Sequence, residues 1–385
     1  MSTHGTDIPA TVAVSAVTDW SDEADVVVLG FGMGGGCAAV EAAAAGARVI
    51  VLERAGVAGG TTAMAGGHFY LGGGTAVQRA TGWDDSADEM AKYLTAVSHE
   101  PNPEKIRAYC DGSVEHFDWL EALGFEFERS YYPEKAVIQP GTQGLMFTGN
   151  EKVWPFKDIA VPAPRGHKVP VPGDTQGARI VIELLVERAA KLGVTVQYET
   201  GGTALVVDDD GTVVGVRWRR FDETGTIRAK AVVIAAGGFV MNPDMVAEHV
   251  PQLAEKPFVL GNTYDDGLGI RLGMSAGGAV RFMDQAFCTA PIYPPSVLVT
   301  GVAVNAEGQR FVAEDSYHSR TSAFALEQPG HIAYLVVDSE HMERPDFPLA
   351  PFIDGWETIA EMEQALGIPA GNLQATLERY SEFAE

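Results

Sequence analysis

With 385 residues, 46% of them apolar and 21% charged, the chain is long enough for two or three globular domains with sizeable cores. A net charge of −25 disfavours nucleic acid and anionic membrane surfaces as partners. Three scattered cysteines exclude a disulfide framework or a cysteine metal site, and no apolar run reaches the roughly 18 residues of a membrane span.

Residues 1–20 carry no Lys or Arg and no clean apolar core, so no signal peptide is expected and the stretch reads as a mobile arm. Together with the unpaired cysteines this points to a cytoplasmic protein. Asp25–Leu29 is a short apolar run expected as a buried parallel strand. It leads into Gly30-Phe31-Gly32-Met33-Gly34-Gly35, which has the G-x-G-x-x-G spacing with one spare glycine. The alanine-rich stretch from Cys37 to Ala45 predicts a helix ended by Gly46, with Cys37 as a small buried residue. Arg48–Leu52 is a second strand, and Glu53 closes it.

Each part of this β-α-β unit has a physical use. Gly30 permits the tight turn, Gly32 lets backbone approach a pyrophosphate, and Gly35 lets helix and strand pack closely. The helix N-terminus offers free N–H groups to an anion. Glu53, 18 residues beyond Gly35, can accept hydrogen bonds from a ribose. Strand, helix, second strand and terminal acid together predict dinucleotide binding.

Gly59-Gly60-Thr61-Thr62-Ala63-Met64-Ala65-Gly66-Gly67 is too glycine-rich for a stable isolated helix and can bring amides and hydroxyls against a polar ligand. Ser86-Ala87-Asp88-Glu89 predicts a capping box opening a helix to about Val97. Asn102-Pro103 starts a helix ending near Gly124. Residues 130–175, with seven prolines, read as one long irregular loop. Within it, Arg165-Gly166-His167-Lys168 reads as a solvated basic cluster, with a substrate lid as the alternative. Ala178–Leu192 is an amphipathic helix stopped by Gly193.

A β-meander follows: Thr203–Val207, Val213–Trp218 through the Asp210-Gly211 turn, and Thr226–Arg228. Ala231–Ala235 is a further buried strand, ending in Ala236-Gly237-Gly238. Asp265-Asp266-Gly267 opens a helix to about Ala276. From about residue 290 the texture changes. Leu298–Val304 and Arg310–Val312 predict a hairpin, Tyr334–Val337 a strand, and Trp356–Leu366 and Asn372–Phe383 helices. The expected class is α/β: a Rossmann-type domain with a β-meander over 21–290, and a smaller α+β substrate domain over 291–385.

These residues resemble the flavoproteins of the fumarate reductase and succinate dehydrogenase class. Within it they look most like 3-ketosteroid dehydrogenases, especially the 4-ene-forming (5α) type. The resemblance is carried by Gly30–Gly35 with Glu53, by Gly59-Gly60-Thr61-Thr62, and by Ala235-Ala236-Gly237-Gly238. Asp265-Asp266-Gly267 stands where the family has a Gly-Asp-Gly element, and Gly308-Gln309-Arg310-Phe311-Val312-Ala313-Glu314 resembles its G-x-R-F-x-x-E signature. The steroid-type likeness rests on Ala65–Gly74 and Tyr317.

The resemblance implies FAD as cofactor. It places Gly30, Gly32, Gly34, Gly35, Glu53, Arg54, Gly59, Gly60, Thr61, Thr62, Ala65, Gly66, Gly67, Ala236, Gly237 and Asp266 against it. No His-Thr pair of the covalent type is found, so the flavin is expected to be non-covalent. Where fumarate reducers have an arginine proton donor, this chain has Tyr317-His318. That implies a small apolar ketone, a steroid, as substrate. Tyr317 would take the proton next to the carbonyl, and His318 is its candidate partner. A packed tyrosine is the plain alternative for Tyr317, a structural ion pair the favoured one for Arg310 and Glu314, and ordinary loop residues the alternative for His68 and Tyr70 near the flavin ring.

Two other functions stay open: a fumarate reductase-like enzyme for another unsaturated acid, and a flavin-binding fragment without turnover. The electron acceptor is undetermined. The family's closing flavin-domain strand is not found before Glu385, so the chain looks truncated and is expected to hold flavin weakly and to turn over little.

Overall fold

The computed structural model describes residues 5–173, 177–254, 258–346 and 350–384. Residues 1–4 of the expected arm, 174–175 of the expected long loop and the terminal Glu385 lie outside them. The fold is α/β with mixed sheets. Contacts divide the chain into two units: one from 1–68, 122–125 and 174–286, the other from 69–121, 126–173 and 287–385. This corrects the expected boundary at 290. Residues 69–173 belong with the C-terminal stretch, because a segment that leaves one core and returns shows no break in sequence texture.

In the first unit the described strands form a seven-stranded sheet in the order Val12–Ala13, Gly201–Val207, Val213–Arg220, Glu223–Ile234, Asp22–Leu29, Val49–Leu52, Thr195–Gln197. The helix Met33–Ala44 crosses between Asp22–Leu29 and Val49–Leu52, which pair in parallel. It begins four residues earlier than the alanine run suggested, because Met33–Gly36 already lies in its first turn. Cys37 is half-buried there. The strand core is apolar throughout: Val27, Leu29, Ile50, Leu52, Leu205, Val216 and Ile227 are all buried, with Leu272 of the helix Leu268–Ser275 packed on them.

Two expectations change here. The strands predicted at Thr226–Arg228 and Ala231–Ala235 are one strand, Glu223–Ile234. Its first half pairs antiparallel with Gly215–Arg220, and Ile227–Ile234 pairs parallel with Asp22–Leu29. The strand runs on without a turn while its partner changes. The N-terminal arm is also docked. Val12–Ala13 pairs in parallel with Val206–Val207, Asn242 Nδ2 donates to Gly5 O at 3.1 Å, and Arg271 Nη1 donates to Asp7 O at 3.1 Å.

In the second unit the predicted helix after Asn102 is two helices, Pro103–Asp111 and Ser113–Leu123, parted at Gly112. Ser86 caps the helix Ala87–Val97 through the Glu89 N–H at 3.2 Å, but Glu89 turns its carboxylate to Lys92 and to the Val161 N–H instead of closing the box. The partner of Val302–Asn305 is Ala333–Val336 and not the expected Arg310–Val312, of which Arg310 makes a single bridge opposite Val304. Arg310 and Glu314 form the structural pair expected, at 2.6 and 2.8 Å, and Glu314 Oε1 also accepts the Ala303 N–H at 2.9 Å. The hairpin packs on the helices Ile359–Leu366 and Asn372–Ala384 through Val302, Val304, Ile368 and Leu373.

The basic cluster is not solvated. Gly166–Lys168 is the middle strand of a three-stranded sheet between His68–Tyr70 and Leu145–Met146, and Arg165, His167 and Lys168 are fully buried. Arg165 forks onto Asp85 at 2.7 and 3.0 Å, both side chains being inaccessible to solvent. Burial works to raise the Asp85 carboxyl, but the Arg165 hydrogen bond and charge, the Gly73 N–H and Gln78 together hold it below the ordinary carboxylate value. Among the described residues no helix is long and apolar enough to cross a membrane.

Breaking this pair strands a buried guanidinium. Asp85→Ala is expected to cost about 3–5 kcal/mol in urea unfolding at neutral pH. Because the native carboxyl is depressed, its contribution is complete above the unfolded value of about 4 and is lost as pH falls through the lower native value. The variant's stability should therefore depend less on pH in the acid range than the wild type's.

Candidate functional site

The glycine turn lines an open cleft in the first unit. Gly30 turns at φ +95°, and its N–H donates to Leu52 O at 2.8 Å. A β-carbon at Gly35 would overlap Gly30 O, so the helix meets the turn only because Gly35 lacks one, while one at Gly30 would strike the Ala235 carbonyl. The first backbone N–H that this helix satisfies internally is that of Gly36, onto Gly32 O at 2.8 Å. The Met33 N–H is taken by Thr62 Oγ1 at 3.1 Å.

Glu53 ends its strand buried, accepting the Phe31 N–H on Oε2 at 2.7 Å and the Ala55 N–H on Oε1 at 2.8 Å. A carboxylate has about four lone-pair sites, so half remain. Arg54 Nη1 bonds Asp266 Oδ2 at 2.9 Å, and its guanidinium lies 4.6 Å from the centre of the Tyr264 ring. Asp266 Oδ1 accepts the Leu268 N–H at 3.0 Å, so the carboxylate caps the helix Leu268–Ser275. Thr61 Oγ1 donates to Asp265 and accepts the Asn262 N–H at 2.8 Å.

Of the residues expected at the cofactor, Gly30, Gly32, Gly34, Glu53, Arg54, Gly60, Thr61, Thr62, Ala236, Gly237 and Asp266 all line this one cleft. Gly35, Gly59, Ala65, Gly66 and Gly67 do not line it. Gly35 and Gly59 serve packing and turning, Gly59 donating to Phe31 O at 2.8 Å, and Ala65 O anchors the helix Gly177–Lys191 through Ala178 N–H at 3.1 Å. Tyr264, Asn262 and Asp265 line it as well and were not foreseen. The acids of Asp265-Asp266-Gly267 carried a signal, whereas Tyr264 carried none.

Tyr317 lies in the second unit, half-buried, at the N-cap of the helix His318–Leu326. Its N–H donates to Asn150 Oδ1 at 2.7 Å, and its ring centre is 4.1 Å from that of His318. His318 is buried, with Nδ1 2.5 Å from Thr289 Oγ1. Burial, with the nearby Lys135 charge, lowers its pKa to about 4, so it is neutral near pH 7 and offers Tyr317 no charge. Arg320 is turned to Ser316 Oγ at 3.1 Å and lies between the rings of Phe156 and Phe324.

Two residues the sequence did not mark complete this cluster. The Glu151 carboxyl is buried and accepts the Tyr70 hydroxyl on Oε1 at 2.8 Å and the Gly149 N–H on Oε2 at 3.1 Å. The Asn150 N–H donates to the Tyr93 hydroxyl at 2.7 Å. Burial raises the Glu151 carboxyl, and burial followed by the Glu151 charge raises the Tyr70 and Tyr317 hydroxyls. The only sequence signal for Asn150 and Glu151 was their place in a loop too long to be idle.

A family model described as "FAD binding domain" matches residues 25–385. The structure of 3-ketosteroid-Δ4-(5α)-dehydrogenase from Rhodococcus jostii RHA1, in complex with 4-androstene-3,17-dione, is 39% identical and superposes with a TM-score of 0.91, covering 97% of this chain and 80% of that one. Urocanate reductase of Eggerthella lenta is 27% identical over 94% of this chain and 59% of its own length. Fumarate reductase (cytochrome) of Shewanella frigidimarina is 29% identical over 94% and 61%. The chain belongs to the FAD-binding flavoproteins of the fumarate reductase and succinate dehydrogenase class. It spans about three fifths of the length of these two curated relatives.

The cleft suits the cofactor of this flavoprotein family. A β-carbon at Gly34 would have nothing within 4 Å, and one at Gly32 would make only ordinary contacts at 3.4 and 3.7 Å. The turn therefore leaves open space on the side away from the core. Gly32→Val is expected to fold with an unchanged far-UV spectrum while losing bound flavin, read as visible absorbance after gel filtration. Gly35→Val, by contrast, should fail to fold.

Proposed function

We propose that this flavoprotein is a dehydrogenase that introduces a double bond next to the carbonyl of a ketosteroid, using non-covalent FAD. The observation that carries this reading is Tyr317, set in a buried tyrosine–carboxyl cluster of a chain that matches a 3-ketosteroid-Δ4-(5α)-dehydrogenase over 97% of its length. FAD, when bound, supplies a hydride acceptor. Gly32 and Gly34 leave its phosphates room at the helix N-terminus, and Glu53 keeps lone pairs for a ribose. Asp266, with Arg54, holds the opposite wall. The acceptor that reoxidises the flavin is left to experiment, and the cytoplasm is the compartment proposed.

Tyr317 carries the proton in this scheme. Removal of a proton next to a ketone needs a base, and the base form of Tyr317 is the phenolate. Its raised pKa keeps the hydroxyl protonated near neutrality. His318, neutral, orients the ring and does not charge it. An apolar ketone also suits the cations present. Arg165 is bound by Asp85, Arg320 is held between two rings, and burial pulls the Lys135 ammonium down. Reduction of an unsaturated acid, the competing reading, asks for a free cation to hold a carboxylate.

With the saturated counterpart of 4-androstene-3,17-dione as substrate, Tyr317→Phe should lower kcat by roughly 10²–10⁴-fold with flavin retained. Wild-type kcat/KM should climb with pH toward a value above tyrosine's ordinary pKa of about 10, with no inflection from His318 at about pH 6–7. Turnover of fumarate or urocanate in preference to the steroid would transfer the chain to the competing reading, and flavin binding without either turnover would leave it a binding protein. Acid precipitation should release the flavin into solution, and phosphodiesterase should convert it to FMN. Flavin that stays in the pellet would contradict non-covalent binding.

A further inference from the structure

The Gly149-Asn150-Glu151 turn reaches Tyr317 from 167 residues away in sequence. We propose that Asn150 and Glu151 are positioning residues for Tyr317: Asn150 fixes the backbone from which its ring projects, and Glu151, held by Tyr70, is the buried carboxyl whose charge governs its hydroxyl. This rests on the reading of Tyr317 as the proton carrier.

The geometry is that of one clamp. Asn150 is 4% exposed, and both of its ends are engaged, Oδ1 by the Tyr317 N–H and the backbone N–H by the Tyr93 hydroxyl, each at 2.7 Å. Tyr317 is the N-cap of its helix and has no side-chain cap of its own. The Asn150 amide therefore settles where the tyrosine stands as the helix begins. Gly149 is required for the clamp to close. A β-carbon there would come within 2.6 Å of the Tyr93 hydroxyl and 3.0 Å of both Glu151 oxygens.

Glu151 is 1% exposed, and its donors are a phenol and backbone amide, not a cation. The charged and titratable groups that face it are Tyr70, Tyr93, Arg165, Lys135 and Tyr317. Arg165 is already forked onto Asp85, and the Lys135 ammonium sits 5.1 Å from the centre of the Tyr293 ring. A buried carboxyl with so little compensation holds its proton to higher pH than usual. Once it ionises, its charge opposes a second negative charge on the phenols around it, since little water screens them. The cluster thus ionises in order, Glu151 first and Tyr317 after it. The consequence is that the phenolate, the form in which Tyr317 acts as base, appears at higher pH than it would without the Glu151 charge.

Glu151→Gln removes the charge and keeps an oxygen for the Tyr70 hydroxyl. The test uses FAD-loaded protein labelled with ¹³C at tyrosine Cζ, the Tyr317 signal being assigned by its loss in Tyr317→Phe. In Glu151→Gln the Tyr317 midpoint should move to lower pH, and the rising limb of kcat/KM for the saturated 3-ketosteroid should move with it. Asn150→Ala should lower kcat by about ten- to a hundredfold with KM little changed and the Tyr317 midpoint in place. An unmoved midpoint in folded Glu151→Gln overturns the role of Glu151, and an undiminished kcat in Asn150→Ala overturns that of Asn150. Should Glu151→Gln not fold, the wild-type titration decides, because a Tyr317 midpoint at or below about 10 contradicts the proposal. Wild-type turnover by Tyr317→Phe would instead defeat the functional reading, and the midpoint comparison would still report the coupling.

Discussion

The first unit depends on a contact between two glycines. Gly30 and Gly35 meet so closely that a β-carbon at Gly35 would overlap Gly30 O. That approach sets the height at which the helix Met33–Ala44 lies over the sheet, and so where its N-terminus opens. Everything else in the cleft is registered to it. Glu53 reaches back to the Phe31 N–H, Thr62 takes the Met33 N–H, and Gly59 donates to Phe31 O. Three segments are thus tied to one turn by hydrogen bonds of 2.7–3.1 Å, which is how a cleft can be ready for a dinucleotide before one arrives.

The second unit solves a different problem, that of holding charge away from water. Arg165 and Asp85 do so by satisfying one another, supported by Gly73 and Gln78. Arg310 and Glu314 do so at the hairpin edge, where the acid also takes a backbone amide. Glu151 has no such partner. Its carboxyl is bonded to a phenol and an amide, and neighbouring Asn150 bonds Tyr317, whereas the buried Glu363 is satisfied by the backbone N–H groups of Gly371, Leu373 and Gln374. Perturbed acids without a structural partner concentrate where proton chemistry is done.

Family and chemistry are separable here. The cleft at the glycine turn lies within the stretch that matches the FAD binding domain, so it bears on the cofactor and not on a substrate. The tyrosine cluster bears on the proposed substrate, since an apolar ketone needs hydrogen-bond donors and a carboxylate needs cations. Net charge points the same way: a chain at −25 repels anionic substrates at long range, and a neutral ligand feels no such field.

The sequence alone determined what depends on neighbours along the chain. The glycine turn, the two strands around it and the acid after the second are legible because their spacing is the structure. Capping residues likewise located the helices beginning at Ala87 and Pro103, and the Asp210-Gly211 turn located its hairpin. The tertiary structure decided what depends on partners. Glu223–Ile234 is one strand because its neighbour changes midway from Val213–Arg220 to Asp22–Leu29, which no local pattern records. Arg165, His167 and Lys168 read as solvated because charge predicts exposure, yet folding brings Asp85 to Arg165, Thr75 to His167 and the Val171 carbonyl to Lys168. Asn150 and Glu151 carried no motif at all. A positioning residue is defined by what it touches, and Tyr317 is brought to it only by folding.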